Sequence, residues 1–268
     1  MELIKGITNV KQHNDYLELF HESFGDQFST IETYLKHWIN PKDVWLLYDD
    51  DVLVFICSIS FKKIMNINNK ILSCGVINGV ATKTTHQRQG LMKTYLSKYI
   101  YHYQEQVDAL AIQASNWDLY KWLNLRACDI CMQYKVIDDF KEAESSIINI
   151  EQLKAVINHP QQNKWVWLME ENEIKTLIRL VHENHYYFYS NREAVLILDN
   201  KGQFVYAIAN KDMALLSLIK EFGVNGTIAY NFSIQNSSIE TTNETVTFTK
   251  IINSNIPINV LKLIPNFL

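Results

Sequence analysis

Residues 75–96 read GVINGVATKTTHQRQGLMKTYL. A β-branched, apolar run ends at Thr82, polar residues follow, and a single glycine, Gly90, opens a helix-like run. A strand that passes into a helix through such a turn has chemical consequences. The first helical turn carries unpaired backbone N–H groups, and the macrodipole adds partial positive charge there. Together they bind phosphate. Gly90 lets a ligand approach the backbone with no Cβ in the way, and Arg88 and Lys93 add formal charge for phosphate oxygens. A plain strand-to-helix turn with a solvated basic rim reads the same, and on spacing alone both readings stand.

Outward from this stretch, the first half alternates helices and strands. KQHNDYLELFHESF (11–24) places Tyr16, Leu19, Phe20 and Phe24 at helical spacing. STIETYLKHWI (29–39) repeats the pattern, with Ser29 or Thr30 as its N-cap. DVWLLYDDDVLVFICSISFKKI (43–64) reads as two strands around an acidic turn at Asp49 to Asp51, and residues 66–82 return as a third strand. The helix over 90–106 follows. VDALAIQAS (107–115) lacks polar alternation, as a strand covered on both faces does. NWDLYKWLN (116–124) is a short helix, and ACDICMQYKVI (127–137) a closing strand. These elements predict an α/β domain over residues 1–140, with helices on a mixed sheet.

The polar segment DDFKEAESSI (138–147) marks a boundary. Beyond it, KWVWLM, a helix over about 171–183, YYFYS, AVLILD, QFVYAIAN, a helix over about 211–222 and VNGTIAYNFSI predict a second α/β unit over residues 145–268. It has no glycine-opened loop after a strand. Its aromatic density suits one wall of a cleft and a contact between copies of the chain.

Bulk properties exclude several classes. With 268 residues, 47% hydrophobic and 20% charged, the chain has ample core material. A net charge of −4 gives no footprint for nucleic acid. The N-terminus lacks the apolar segment of a signal peptide, and no apolar run approaches the roughly 20 residues that span a bilayer. A cytoplasmic protein without membrane or nucleic-acid partners is expected. The four cysteines form no disulfide framework. Cys128 and Cys131 make one C-x-x-C on a predicted strand, where residues three apart face opposite ways, so two buried thiols are expected rather than a metal site. His182 and His185 lack the spacing that puts two metal ligands on one helical face and read as a helix end.

QRQGLM after GVAT resembles motif A of the GNAT N-acetyltransferases, Q/R-x-x-G-x-G/A, with Gln87, Gly90 and Met92 at the defined positions. Met92 departs, standing where most members have Gly or Ala; in this it is similar to the enhanced intracellular survival (Eis) type. ASNWDLYKWLNLRAC (114–128) resembles that branch's S-x-x-x-x-Y-x-x-F-G-Y phrase, with Ser115 and Tyr120 in register and Asn124 at the family's helix-ending glycine, a place where a left-handed residue is favoured. The resemblance covers most of residues 1–140 and extends loosely to the second unit, since Eis-type proteins carry two GNAT-like units.

The resemblance implies the GNAT fold and acetyl-CoA as co-substrate, without a metal. The strand edge at Val80, Ala81 and Thr82 would pair with the pantetheine amides. Backbone N–H groups of Arg88, Gln89, Gly90, Leu91, Met92 and Lys93, in the loop that begins with Gln87, would hold the pyrophosphate. Ser115 and Asn116 would meet the coenzyme, and Tyr120 would act as general acid at its sulfur. The chemistry suits these residue types. A lysine-like amine with a pKa near 10.4 must lose a proton to attack, and a phenol with a pKa around 10 stays protonated and stabilises a departing thiolate. Packing alone would also place Tyr120 on a stripe with Trp117 and Leu123. The acceptor is a small-molecule or peptide amine whose identity the fold does not supply.

Eis-type proteins continue into a sterol-carrier-like domain whose C-terminal carboxylate serves as base, and VLKLIPNFL ends before such a domain. Asp26, Glu22 and Glu32 are the candidate bases in the first domain, each of a type most often found as a solvated surface carboxylate; a water chain is a further possibility. Two other classes remain. One is a GNAT fold that binds acyl-CoA or a protein without turnover, supported by Met92 alone. The other is an unrelated nucleotide binder using the Gly90 loop, which lacks the Lys-Ser/Thr of a P-loop and the three-glycine dinucleotide fingerprint.

Overall fold

The computed structural model of the chain describes residues 1–114, 116–127, 130–136, 141, 149–159, 165–224, 227–230, 239–247, 249–254 and 261–262. The elements of the first half are β1 (Glu2–Lys5), α1 (Val10–Phe24), α2 (Phe28–His37), β2 (Trp45–Asp49), β3 (Val52–Met65), β4 (Ile71–Thr82), α3 (Leu91–Tyr103), β5 (Ala109–Gln113), β6 (Arg126–Ala127) and β7 (Ile130–Val136). Those of the second half are α4 (Ile150–Ile157), β8 (Trp165–Trp167), α5 (Glu171–Glu183), β9 (Tyr187–Ser190), β10 (Ala194–Leu198), β11 (Phe204–Ala209), α6 (Asp212–Phe222), β12 (Thr227–Tyr230), β13 (Ile239–Thr247), β14 (Thr249–Ser254) and β15 (Leu261–Lys262).

One mixed sheet dominates. Strands β1, β2, β3 and β4 pair antiparallel in sequence order, and β4 pairs parallel with β5 across the α3 crossover. The expected closing strand is divided and takes different partners. Its beginning, β6, pairs with β14, and β7 pairs with β12 and β13 in a separate sheet. The neighbour of β5 is β14, and β8, itself paired with β15, joins the main sheet through β3. Residues after 145 therefore contribute strands to the sheet of the first half. A third sheet, β9–β10–β11, lies with α4 and α6.

Helix starts also differ from the expected caps. Gln27, not Ser29 or Thr30, precedes α2 and makes no side-chain cap. Asn9 caps α1 through its side chain, and Gly25 ends it in the left-handed conformation at φ 82°. Asn124 is absent from the left-handed residues. Cys128 lies outside the described residues, and Cys57 and Cys74 are buried free thiols.

The long central strand β3 is buried on both faces over most of its length. Its even-numbered row includes Ser58, Ser60 and Lys62, all buried. Lys62 Nζ lies 3.3 Å from Glu173 Oε1 of α5 and 3.9 Å from the centroid of the Trp167 ring. Burial pulls the Lys62 ammonium down to about 8, against the opposing pull of Glu173. The folded protein therefore holds this proton less tightly than the unfolded chain does. The penalty for burying the cation is in force below pH about 8 and is lifted as pH rises toward the ordinary lysine range. Wild-type protein is expected to gain up to ~3 kcal/mol relative to Lys62→Met over that window. Urea midpoints of both proteins from pH 7 to 10 check this, and parallel curves would contradict it.

Candidate active site

The site begins with strand β4. Gly75, Val76 and Ile77 pair with Leu110, Ala111 and Ile112 of β5, and the recorded pairing stops at Ile77. On its other edge β4 stays bonded to β3, with Ala81 opposite Ile56 and Thr82 opposite Phe55. Between them the register slips by one, so that Gly79 and Val80 together face Cys57 as a β-bulge. Gly79 sits at φ 56°, and a Cβ there would come 2.9 Å from both Phe20 of α1 and the Ser58 hydroxyl. Only glycine lets α1 pack this closely while the strand turns away from β5. The two parallel strands thus part, leaving β4 from Val80 to Thr82 without a β5 strand partner. Val80 and Thr82 are half-buried there and Ala81 is buried.

The loop after β4 is built largely from its own polar atoms. Lys83 N donates to Val54 O (2.9 Å), Gln87 Nε2 to Thr82 O (3.1 Å), and Gln89 Nε2 to Thr85 O (3.4 Å). Lys83 Nζ lies 3.1 Å from Glu22 of α1, and Thr84 Oγ1 donates to the same carboxylate at 3.2 Å. Arg88 and Gly90 adopt left-handed φ values of 61° and 79°. Gly90 stands at the N-cap of α3 without a side-chain cap, and an added Cβ would meet nothing within 4 Å. The glycine therefore serves backbone conformation and leaves open space in front of the helix start. Arg88, Gln89 and Lys93 are exposed around it, while Leu91 is buried. Two of the Tyr hydroxyls of α3 hold the helix from behind: Tyr99 donates to the Asp43 carbonyl, and Tyr103 to its carboxylate at 3.0 Å.

Tyr120 ends a short 3-10 helix, Trp117–Tyr120, where a short helix was expected. It is 6% exposed and shares a core with Leu91, Leu96 and Ile112, against which Val80, Met92, Ala114 and Trp117 pack. The fold thus gathers the open edge of β4, the start of α3 and Tyr120 around one cluster. Burial pushes the Tyr120 hydroxyl well above the ordinary phenol range. Met92 is half-buried and packs on this core, so its bulk fills hydrophobic space instead of the loop in front of Gly90. Lys93 Nζ is 6.0 Å from the Trp122 ring centroid. Asn116 caps the 3-10 helix, accepting from Asp118 N at 3.1 Å. Ser115 lies outside the described residues.

The three candidate bases separate by environment. Glu22 is held below the usual carboxylate range, first by its hydrogen bond with Lys83. Glu32 is exposed, 3.8 Å from His13. Asp26, in the turn between α1 and α2, is pushed up by burial, and its Oδ2 is buried without a hydrogen-bond partner. The neighbouring Tyr186, just before β9, is pushed up mainly by its own burial and then by Asp199 and Asp26. Tyr186 also packs on the core to which Phe20 of α1 and Tyr34 of α2 belong. Sequence reasoning had no way to rank the three carboxylates, since their partners come from distant segments.

Among the described residues, no cluster of His, Cys, Asp and Glu could hold a metal ion, and no helix is long and apolar enough to cross a membrane. Among curated proteins none matches the chain. Solved structures do. Eis1 from Mycobacterium abscessus superposes with a TM-score of 0.68 at 7% identity, over 94% of this chain and 73% of that one. A GCN5-related N-acetyltransferase from Anabaena variabilis gives 0.64 at 10% identity, covering 93% and 72%. Another from Kribbella flavida gives 0.62 at 12%, covering 93% and 70%. At these identities the likeness is one of fold. The family model described as the acetyltransferase (GNAT) domain matches residues 6–123, the span that contains the parted strands, the Gly90 loop and Tyr120. The chain has the GNAT fold, and residues 6–123 match the acetyltransferase (GNAT) domain.

Proposed function

We propose that the chain is an acetyl-CoA-dependent N-acetyltransferase that moves an acetyl group to a primary amine by direct attack. The observation that carries this reading is the parting of β4 from β5 after Ile77, which leads straight into a helix opened by left-handed Gly90. In this reading the open strand edge at Val80, Ala81 and Thr82 binds the pantetheine amides. The N–H groups from Arg88 to Lys93 bind the pyrophosphate with the dipole of α3 behind them. Tyr120 gives its hydrogen bond to the thiolate as the C–S bond breaks, and Ser115 and Asn116 flank the coenzyme.

Asp26 is the carboxylate best suited to take the proton from the amine. Raised by burial against the opposing pull of His21, and with its Oδ2 free of a hydrogen-bond partner, it both attracts an ammonium and accepts its proton. The exposed rings of Phe24 and Phe28 on either side suit an acceptor with an apolar body, and Tyr186 packs on the core beneath α1 and α2. A non-catalytic acyl-CoA-binding or protein-interaction module is the second reading; it rested on Met92, whose packing into the core accounts for its size.

Release of coenzyme A thiol from acetyl-CoA on addition of an amine panel tests the activity. Asp26→Asn is expected to lower kcat/KM by about 10²-fold with the affinity for acetyl-CoA unchanged. A base must be ionised, so wild-type kcat/KM should fall as pH drops through the raised Asp26 value, and this limb should vanish in the variant. Retention of the limb in Asp26→Asn would exclude Asp26 as the base.

A further inference from the structure

Seven residues, Thr84 to Gly90, form the loop ahead of α3, and among them only His86 is drawn in from the surface. Its Nε2 lies 3.4 Å from Oδ2 of Asp49, and its Nδ1 lies 2.8 Å from Thr85 Oγ1. In its protonated form the ring gives Nδ1–H to the Thr85 hydroxyl and makes an ion pair with Asp49 through Nε2. Asp49 closes β2 at the tight turn into β3, where Asp50 and Asp51 both take left-handed φ values of 45° and 65°. The carboxylate therefore projects from a rigid sheet end.

Phosphate binding by backbone N–H groups depends on the loop holding its shape beforehand, since ordering it on binding would subtract from affinity. Arg88 bears part of this cost, being a non-glycine residue in the left-handed region. Two tethers restrain the loop: the Lys83 and Thr84 contacts with Glu22 at its start, and the His86 contact with Asp49 in its middle. The second has an added electrostatic side. An uncompensated Asp49 carboxylate near a pyrophosphate would oppose binding. Among the described residues, the cationic groups within 4 Å of this carboxylate are His86 and the amino group of Met1, at 3.8 Å from Oδ1, while Asp50 and Asp51 follow it in the turn.

We propose that Asp49 is a positioning residue for the coenzyme, acting through His86, which it holds so that the loop presents its N–H groups to phosphate. Asp49 itself touches no part of the coenzyme in this arrangement. The inference rests on the coenzyme reading of the Gly90 loop.

Calorimetry with coenzyme A on the full chain tests it through a double-mutant cycle. Asp49→Asn and His86→Gln should each weaken binding about tenfold, within the range of coupled neighbours. Because His86→Gln already breaks the tether, adding Asp49→Asn to it should cost nothing more and should recover affinity by removing an uncompensated charge. Melting temperatures of the three variants should stay within about 2 °C of wild type, because neither side chain belongs to the hydrophobic core. Additive losses in the double variant, or single variants that bind as wild type does, would overturn the role of Asp49 and leave the coenzyme reading in place. Failure of the wild-type protein to bind coenzyme A would overturn the coenzyme reading itself, and this inference with it.

Discussion

Tyr120→Phe is expected to lower kcat about 10²–10⁴-fold while leaving acetyl-CoA affinity nearly unchanged. The substitution removes one oxygen and retains the ring, which packs edge-on against Trp117 with centroids 6.1 Å apart. Its surroundings explain the direction. A hydroxyl raised by burial stays protonated across the working range, so it is available as a donor whenever a thiolate develops. In the same apolar cluster of Leu91, Leu96 and Ile112 water competes poorly, so the hydrogen bond is worth more there than in solvent. A thiolate leaving into that environment is more basic than in water as well, which offsets the weakness of so buried a phenol as an acid. Steady-state kinetics, calorimetry and a melting curve on one variant separate the roles. Full activity with a lowered melting temperature would mean that Tyr120 only packs.

Gly90→Asp is expected to weaken acetyl-CoA binding by about 10²-fold or more, with the fold retained. The position has open space around it, so a new side chain displaces nothing in the protein. The cost falls on the ligand and on the backbone. Aspartate at φ 79° carries the strain of a left-handed residue, roughly 1–2 kcal/mol. Its carboxylate would face the pyrophosphate at the helix start, and like charges brought together cost several kcal/mol, where each 1.4 kcal/mol is tenfold in affinity. Gly90→Ala provides the neutral control, with backbone strain but no charge, and should fall between the two. Calorimetry showing wild-type affinity for Gly90→Asp would rule out phosphate binding at this loop.

Much of this site was legible along the chain because its parts are local. The run GVAT, the polar residues to Gln89 and the glycine at the helix start occupy consecutive positions, and each states its own backbone preference. The same holds for α5, where apolar spacing alone predicts the observed Glu171–Glu183. The β1 strand, four residues long and only partly buried, carries too short a pattern to be read. Ser58, Ser60 and Lys62 mislead in a different way, because polar residues on alternate positions of a strand ordinarily mark a solvent face. Here that face is covered by helices, and Glu173, Trp38 and Trp167 surround the lysine.

What the sequence determined by itself is the strand–loop–helix unit at residues 75–96 and the residue types that suit acetyl transfer there. Backbone conformation at Gly90 and the amphipathic spacing of its helix depend on neighbours a few residues away. Tertiary structure alone decided that β14 lies beside β5, that Asp26 keeps an unpartnered buried oxygen while Glu22 is tied to Lys83, and that Asp49 reaches His86. Strand pairing is made by backbone groups that every residue carries, and a carboxylate's pKa is set by whichever charges and apolar surfaces the fold brings within a few ångströms. Neither leaves a mark in the residues next to it, so the environment of Asp26 and the contact of Asp49 with His86 became visible only once the chain had closed on itself.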